Sequence, residues 1–521
     1  MRRSDADPFT WTGHPLVDVG VATLCAMAAR DGPSGLTEDD LARAANEMAG
    51  AYLSGALTSY LTCVFMNAAY VQSQMSDADR QGYANRTLGG ARTGEPAAAA
   101  RGLRCVFCHA PAKEVLHRGQ MPMLTGAAVL NFFPAARGGL AACGSCLMAL
   151  QALPLGGRRA EGRLLIVHSD DAALTLLFAR RYLEDNRRLL ALAGTATLAD
   201  EATLTRELPA FDNKKQPKFP DAKDGRTLVL HDLLEVYAER TGPDVRERPV
   251  SLTAYWLSSS GQGAALDILR IPSQVVRFAV LASRDPMATA WKRVLAAGWP
   301  KPDEKRPATA RANKTRRTTR TVVSPGAGRS RNTVLADLFH IYEGGDVDWV
   351  AARRFARRHL LEHALSSVRA AATSGPAPAV DAGARTNWPL ATLFLREVLG
   401  MDQKRIDALR QFADRLADYI MTANDRGLFG DLMYRDRSWE IRNALVKAQR
   451  NRARQANDLL FGLEQYLEVF EADDAVGQVD WRLARDLICI RLVERLQHGQ
   501  FFEKPENRDV LEPTSPSDQT V

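Results

Sequence analysis

Four of the seven cysteines stand in two doublets, Cys105/Cys108 (C-V-F-C) and Cys143/Cys146 (C-G-S-C). A C-x-x-C turn sets two sulfurs on one side of a tight bend. Two such turns complete a tetrahedron of thiolates, the donor set of a structural zinc. Four sulfurs leave no open coordination position, so this zinc is expected to hold structure and not to act on a substrate. A single C-x-x-C also suits redox exchange, but two doublets in a chain with few other cysteines favour a metal. The site closes a loop of 34 residues, 109–142. His109 and His117 are alternative donors beside the four thiols. Cys25, Cys63 and Cys489 fall in apolar helical patterns and read as buried hydrophobes.

Other constellations are sparse. No P-loop, H-E-x-x-H, G-x-S-x-G or dinucleotide fingerprint occurs. His168, Ser169, Asp170 and Asp171 form H-S-D-D at the end of an expected strand, a set that could hold a divalent metal and serve a nuclease. His231-Asp232 stands without further ligands in sequence. The simpler expectation is a protein that is not an enzyme.

The elements that must position the doublets read as an α+β body with an inserted four-cysteine zinc module and a helical-bundle C-terminal domain. Residues 1–102 are expected to be a mainly helical part of the body. Thr37 caps a helix with Asp40 at the capping-box position, and residues 50–75 form a more apolar helix. The zinc module spans 103–150. The α+β body continues over 151–300, with a strand at R-L-L-I-V-H (163–168), a helix over 170–190 and a strand, or a strand running into a helix, from Thr227. Two extended runs around the S-G-Q-G turn follow. Residues 301–333 form a flexible basic loop and 334–384 a helical connector. The bundle covers 385–503, where Ile406, Leu409, Phe412, Leu416 and Ile420 recur at helical spacing, as do Leu459, Leu463, Tyr466 and Phe470. The tail, 504–521, is polar and proline-containing, the composition of disorder.

At 521 residues the chain has room for two to four domains. The start carries no long apolar stretch of a signal peptide, no run reaches the length of a membrane span, and the clustered thiols suit a reducing cytoplasm. The net charge is +7, but residues 305–331 hold nine Lys or Arg and no acid, so the rest of the chain sums to −2 (7 minus 9). Such a strip makes phosphate contacts that position a backbone without reading bases. Lys314, Arg316, Arg317 and Arg320 are its candidate nucleic-acid contacts. Arg353, Arg354, Arg357 and Arg358, on one expected helix, form a second basic face. A solubilising loop and a solvated helix face are the plainer alternatives.

Three segments together resemble a known family. They are the opening W-T-G-H-P-L-V-D-V-G at 11–20, the paired doublets, and S-G-Q-G at 260–263 followed by I-L-R-I-P. The chain is similar to the large subunit of type I CRISPR interference complexes (Cascade), in the Cas8a/Cas8b-like group with two C-x-x-C doublets, also called Cst1. His14 stands where that family more usually has Asn. The resemblance implies a subunit of antiviral defence that contacts Cas5, Cas7, Cas6, Cas11 small subunits and guide RNA. It would recognise the target-flanking motif (PAM) in double-stranded DNA, promote R-loop formation and recruit Cas3, or transposition proteins in a variant of the role. Gln262, Asn67 and Asn85 are candidates for the motif-facing region. The C-terminal bundle would resemble Cas11, which in related systems is also made by internal initiation, and Met401 is a possible start.

Overall fold

The computed structural model describes residues 9–124, 139–195, 225–239, 251–260, 263–299, 331–374, 387–456, 458–470 and 481–511. It is dominated by helices and divides into two compact units. The first holds Met1–Ser273 and the second Gln274–Pro300 together with Asn332–Val521. Among the described residues, no helix is long and apolar enough to cross a membrane.

The first unit opens with the helices α1 (Pro15–Met27), α2 (Glu38–Leu53), α3 (Thr58–Val64) and α4 (Asp77–Asn85). The capping box opens α2 as expected. Thr37 Oγ1 accepts the Asp40 amide at 3.2 Å, and the Asp40 carboxylate accepts the Thr37 amide at 3.1 Å. The single apolar helix expected over 50–75 is not formed. Gly55 adopts φ +82°, which stops the chain between α2 and α3. A small antiparallel pair, β1 (Glu114–Leu116) and β2 (Leu140–Ala142), precedes α5 (Gly144–Ala152). Then come β3 (Arg158–Ala160), β4 (Arg163–Ser169), α6 (Ala172–Thr195), α7 (Gly225–Glu239), β5 (Leu252–Ser260) and β6 (Gly263–Ile271). The strands form one antiparallel sheet in the order β3-β4-β5-β6. Leu164, Ile166 and Leu257 on one sheet face join the core formed with α1, α2, α3, α5 and α6. The run from Thr227 is a helix from its start, not a strand. Val229, Leu230, Leu233 and Val236 are all buried, and this spacing of one, four and seven residues lines one helical face.

The doublet region packs into the body that carries it. Cys105, Cys143 and Cys146 and all of α5 lie inside the main core, because α5 is apolar on every side and must be covered all round. Its closest neighbour is α1. A Cβ added at Gly20 would fall 1.9 Å from the Ala149 carbonyl oxygen, so only glycine lets the two helices approach this far.

The second unit begins earlier than the expected boundary at 300. Helices α8 (Ser273–Ala282) and α9 (Ala288–Ala297) pack with it, as do α10 (Thr333–His340), α11 (Trp349–Phe355), α12 (Glu362–Ser374) and α13 (Trp388–Glu397). An aromatic cluster explains the placement. The Phe278 ring meets Trp291, Phe355 and Phe394 at 5.3, 6.3 and 5.8 Å, and Phe355 stacks on Phe394 at 4.9 Å. The bundle is completed by α14 (Gln403–Ala423), α15 (Arg426–Tyr434), α16 (Ser438–Ala456), α17 (Leu463–Phe470) and α18 (Trp481–His498). The expected face of α14, from Ile406 to Ile420, is buried, whereas Leu459 and Leu463 point to solvent. The chain beyond Lys504 continues in order to Leu511, where a 3-10 turn (Pro505–Leu511) buries Asn507 and Leu511.

Candidate metal centre

The four thiols come together as the spacing requires. One sulfur from each of Cys105, Cys108, Cys143 and Cys146 lies within 4.8 Å of the other three. The Cys108 and Cys143 sulfurs are 3.4 Å apart, far beyond a disulfide bond and near the edge of about 3.8 Å expected between thiolates around a tetrahedral zinc. The first doublet forms a tight knuckle. The Cys105 amide donates to the Ala110 carbonyl at 2.8 Å, the His109 amide donates to the Cys105 carbonyl at 3.0 Å, and His109 takes φ +61°. The Val106 amide donates to the Ala141 carbonyl at 3.0 Å and ties this knuckle to β2. The second doublet is the first turn of α5, with Cys143 as its N-cap and the Cys146 amide 3.4 Å from the Cys143 sulfur. A helix N-terminus favours the anionic thiolate.

Hydrogen bonds from Cys108, then Cys143 and Cys146, hold the Cys105 thiol far below its ordinary range, while their bonds to Cys105 push Cys143 and Cys146 up. A bound dication allows all four to ionise. The buried four-cysteine cluster fits zinc, whose part would be structural. His109 is exposed, and the His117 amide bonds to the Gln120 side chain. Neither belongs to the cluster.

The surroundings hold the doublets from several sides. A Cβ at Gly144 would lie 2.5 Å from the Ala91 carbonyl and the Arg92 backbone, so the C-G-S-C glycine is required by close approach. Arg92 is buried. Its guanidinium makes two 2.9 Å bonds to Glu38, places Nε 3.3 Å from the Ser145 hydroxyl and lies 5.2 Å over the Phe9 ring. Nothing local in the sequence marks Arg92 for this role. The segment between the doublets is anchored by Gln151 of α5, whose side-chain amide donates to the Gln120 carbonyl at 2.6 Å.

The opening motif joins the same site. The His14 ring meets Phe107, inside the first doublet, edge-on at 4.9 Å. Asp18 folds the motif into a hook. Its carboxylate accepts from the Thr12 amide and hydroxyl at 2.7 and 2.8 Å and from the Gly13 amide at 2.9 Å, with His168 Nε2 at 3.5 Å. Burial pushes the Asp18 carboxyl up, but His168 and these donors together hold it below its ordinary value. Burial, and next to it His168, lower His14, against the pull of Asp18. With its folded value below the unfolded one near 6.5, neutral His14 contributes stability that is complete above that pH and is lost as pH falls below it. Wild-type stability should therefore drop more than that of His14→Phe between pH 7.5 and pH 5.5, as measured by urea denaturation at each pH.

The remaining candidate residues are placed as follows. In H-S-D-D, the Asp170 carboxylate accepts the Ser251 amide at 3.1 Å and Asp171 Oδ1 accepts the Ala173 amide at 2.9 Å. Both carboxylates are thus engaged in starting β5 and α6, and the set does not gather as a metal cluster. Asn67 is exposed in the turn after α3, and Asn85 is exposed at the end of α4, where its side-chain oxygen accepts from Gln81. Gln262, Lys314, Arg316, Arg317 and Arg320 lie outside the described residues. The four arginines expected on one helix are split by a π-helical turn (Ala356–Leu361) that follows α11. Arg353 and Arg354 precede it. Arg357 pairs with Asp486 at 2.9 Å and Arg358 with Asp337 at 3.2 Å. Arg354 is exposed and lines an open cavity of about 460 Å³ with His340, Glu343, Asp346 and Asp348.

No family model matches the chain, and neither a curated protein nor a solved structure matches it.

Proposed function

We propose that the chain is the large subunit of an RNA-guided type I CRISPR interference complex. It recognises the motif flanking the target in duplex DNA, promotes strand separation and recruits Cas3. One observation carries this reading. The opening motif and the doublets lie far apart in sequence and pack into one another, and the chain between the doublets is bonded beside the third segment. His14 of the opening motif meets Phe107 of the first doublet, and Gly20 of the same motif lies under Ala149 of the helix that the second doublet starts. The Met123 amide, in the chain between the doublets, donates to the Ser259 hydroxyl beside the S-G-Q-G turn at 2.9 Å. Two distant motifs that share one packed core are what a family-defining core requires.

The role needs no catalytic constellation. Target sequence is read by guide pairing, and the protein contributes flanking-motif contacts and backbone binding. The acid-free strip at 305–331 supplies cations for the second task.

The test is purification of the tagged chain expressed with its neighbouring genes, followed by RNA extraction and mass spectrometry. A complex with Cas5, Cas7, Cas6 and a guide RNA of uniform length is expected. Recovery of the chain alone, with the neighbours expressed and soluble, would overturn the reading. Transposition proteins in place of Cas3 would keep the large-subunit role and reassign what it recruits.

A further inference from the structure

Taken as a strand, the run from Thr227 leaves His231 and Asp232 an isolated pair, because position 235 would lie some 13 Å along an extended chain. Wound into α7, the same residues meet. Positions 231 and 235 are one turn apart on one face, and Asp232 turns toward them. His231 Nδ1 lies 3.7 Å from Asp232 Oδ1, and His231 Nε2 lies 3.9 Å from Glu235 Oε1. Both separations are longer than a hydrogen bond. They run to different ring nitrogens, of which a single ion takes only one; donors that share a tetrahedral ion at about 2.1 Å stand about 3.4 Å apart. One donor atom from each of the three residues lies within 4.8 Å of the other two.

An arginine stands beside the outer oxygen of each carboxylate, although Asp232 Oδ2 is buried without a hydrogen-bond partner, and the inner oxygens face the imidazole. Arg158 of β3 reaches Asp232 Oδ2 at 3.5 Å and Asp185 Oδ2 at 3.3 Å, and Arg181 of α6 holds Glu235 Oε2. The Glu235 carboxylate is therefore oriented from behind, as the ligands of metal sites commonly are. Asp232 is only 2% exposed. Asp232, Glu235 and Asp185 carry three negative charges against the two guanidinium charges of Arg158 and Arg181, which leaves one negative charge in excess to meet a cation.

We propose that His231, Asp232 and Glu235 form a second metal site, separate from the four thiols, for a divalent transition ion of the zinc class. The imidazole donor selects against magnesium and calcium, which take oxygen ligands. Three protein ligands of this kind leave coordination to solvent or a further group, unlike the closed thiolate site.

The experiment is equilibrium dialysis of the full chain against Zn²⁺, with metal counted by mass spectrometry, beside His231→Ala and the near-isosteric Glu235→Gln. Two zinc ions per wild-type chain and one in each variant are expected. In the same preparations loaded with Co²⁺, the thiolate-to-metal charge-transfer absorption should be equal in all three proteins, which shows that the four-cysteine site is intact. Should the alanine variant misfold, by circular dichroism, the glutamine variant decides. One zinc per wild-type chain, or a second ion retained by both variants, would overturn the proposal.

Discussion

Replacing Cys146 by alanine abolishes thiolate-to-cobalt charge transfer and lowers the melting temperature of the first unit by about 10 °C or more. Losing a structural metal belongs to the small class of single changes that cost about 4 kcal/mol or more. At about 2–4 °C per kcal/mol for a body of this size, the shift follows. The effect should exceed that of an ordinary buried cysteine, because the remaining three sulfurs sit in the core with no ion to neutralise them. Cys25→Ala, a deletion in the same core at a thiol held neutral by burial, is the matched control and should shift the transition far less. Chelation of the wild-type protein should reproduce the Cys146→Ala melting curve. Equal melting of wild type and Cys146→Ala would mean that the four thiols hold no metal that matters to the fold.

The largest effect in the second unit is expected from Asp486→Ala. Asp486 is fully buried, and its Oδ1 accepts from Arg357 at 2.9 Å and from Arg485 at 2.8 and 3.1 Å. Arg485 is itself only 2% exposed, and its guanidinium has a raised pKa: burial lowers it, but Asp486 outweighs that. Removing the carboxylate leaves that buried guanidinium with only the Arg435 carbonyl and the exposed Asp436 at 3.4 Å, at a cost of about 3–5 kcal/mol. The surface pair Arg180–Asp31 has a similar separation, 2.9 Å, but Asp31 is almost wholly in water, so Asp31→Ala should cost less than about 1 kcal/mol. Urea titrations followed by tryptophan fluorescence, with Trp11 and Trp256 in the first unit and Trp291, Trp388 and Trp481 in the second, would separate the two. Similar midpoints for both variants would show that the buried pair is relieved by water.

The parts of the fold that sequence discloses are those whose cause is local. The doublets announce a thiolate site because four ligands in two turns need no knowledge of what lies between them. Thr37 and Asp40 announce a helix start because both halves of the capping box are three residues apart. The arrangement around the metal is not local. Arg92 reaches Ser145 across 53 residues, and His14 finds Phe107 across more than ninety, so neither contact has a signature in its own neighbourhood. The run from Thr227 is ambiguous for a different reason. Its β-branched and leucine residues satisfy both periods over a short window, and only burial of Val229, Leu230, Leu233 and Val236 on one face decides for the helix. That one choice conceals the pairing of His231 with Glu235. The packing of the zinc module against the main core is not legible either, because loop length says nothing of what α5 packs against.

The entry of α8 and α9 into the second unit bears on how the gene can be cut. Phe278 and Trp291 lie before the basic strip and are sealed among Phe355 and Phe394, which lie after it. A ribosome starting at Met401 would make α14 to α18 without any of these rings, and without Arg357 to meet Asp486. Such a short product would carry a raw apolar flank and a buried carboxylate left with Arg485 alone, and would be soluble only with another polypeptide in the place of the missing helices. Any gene fragment meant to yield the whole second unit must therefore begin upstream of codon 274, ahead of the basic strip and not behind it.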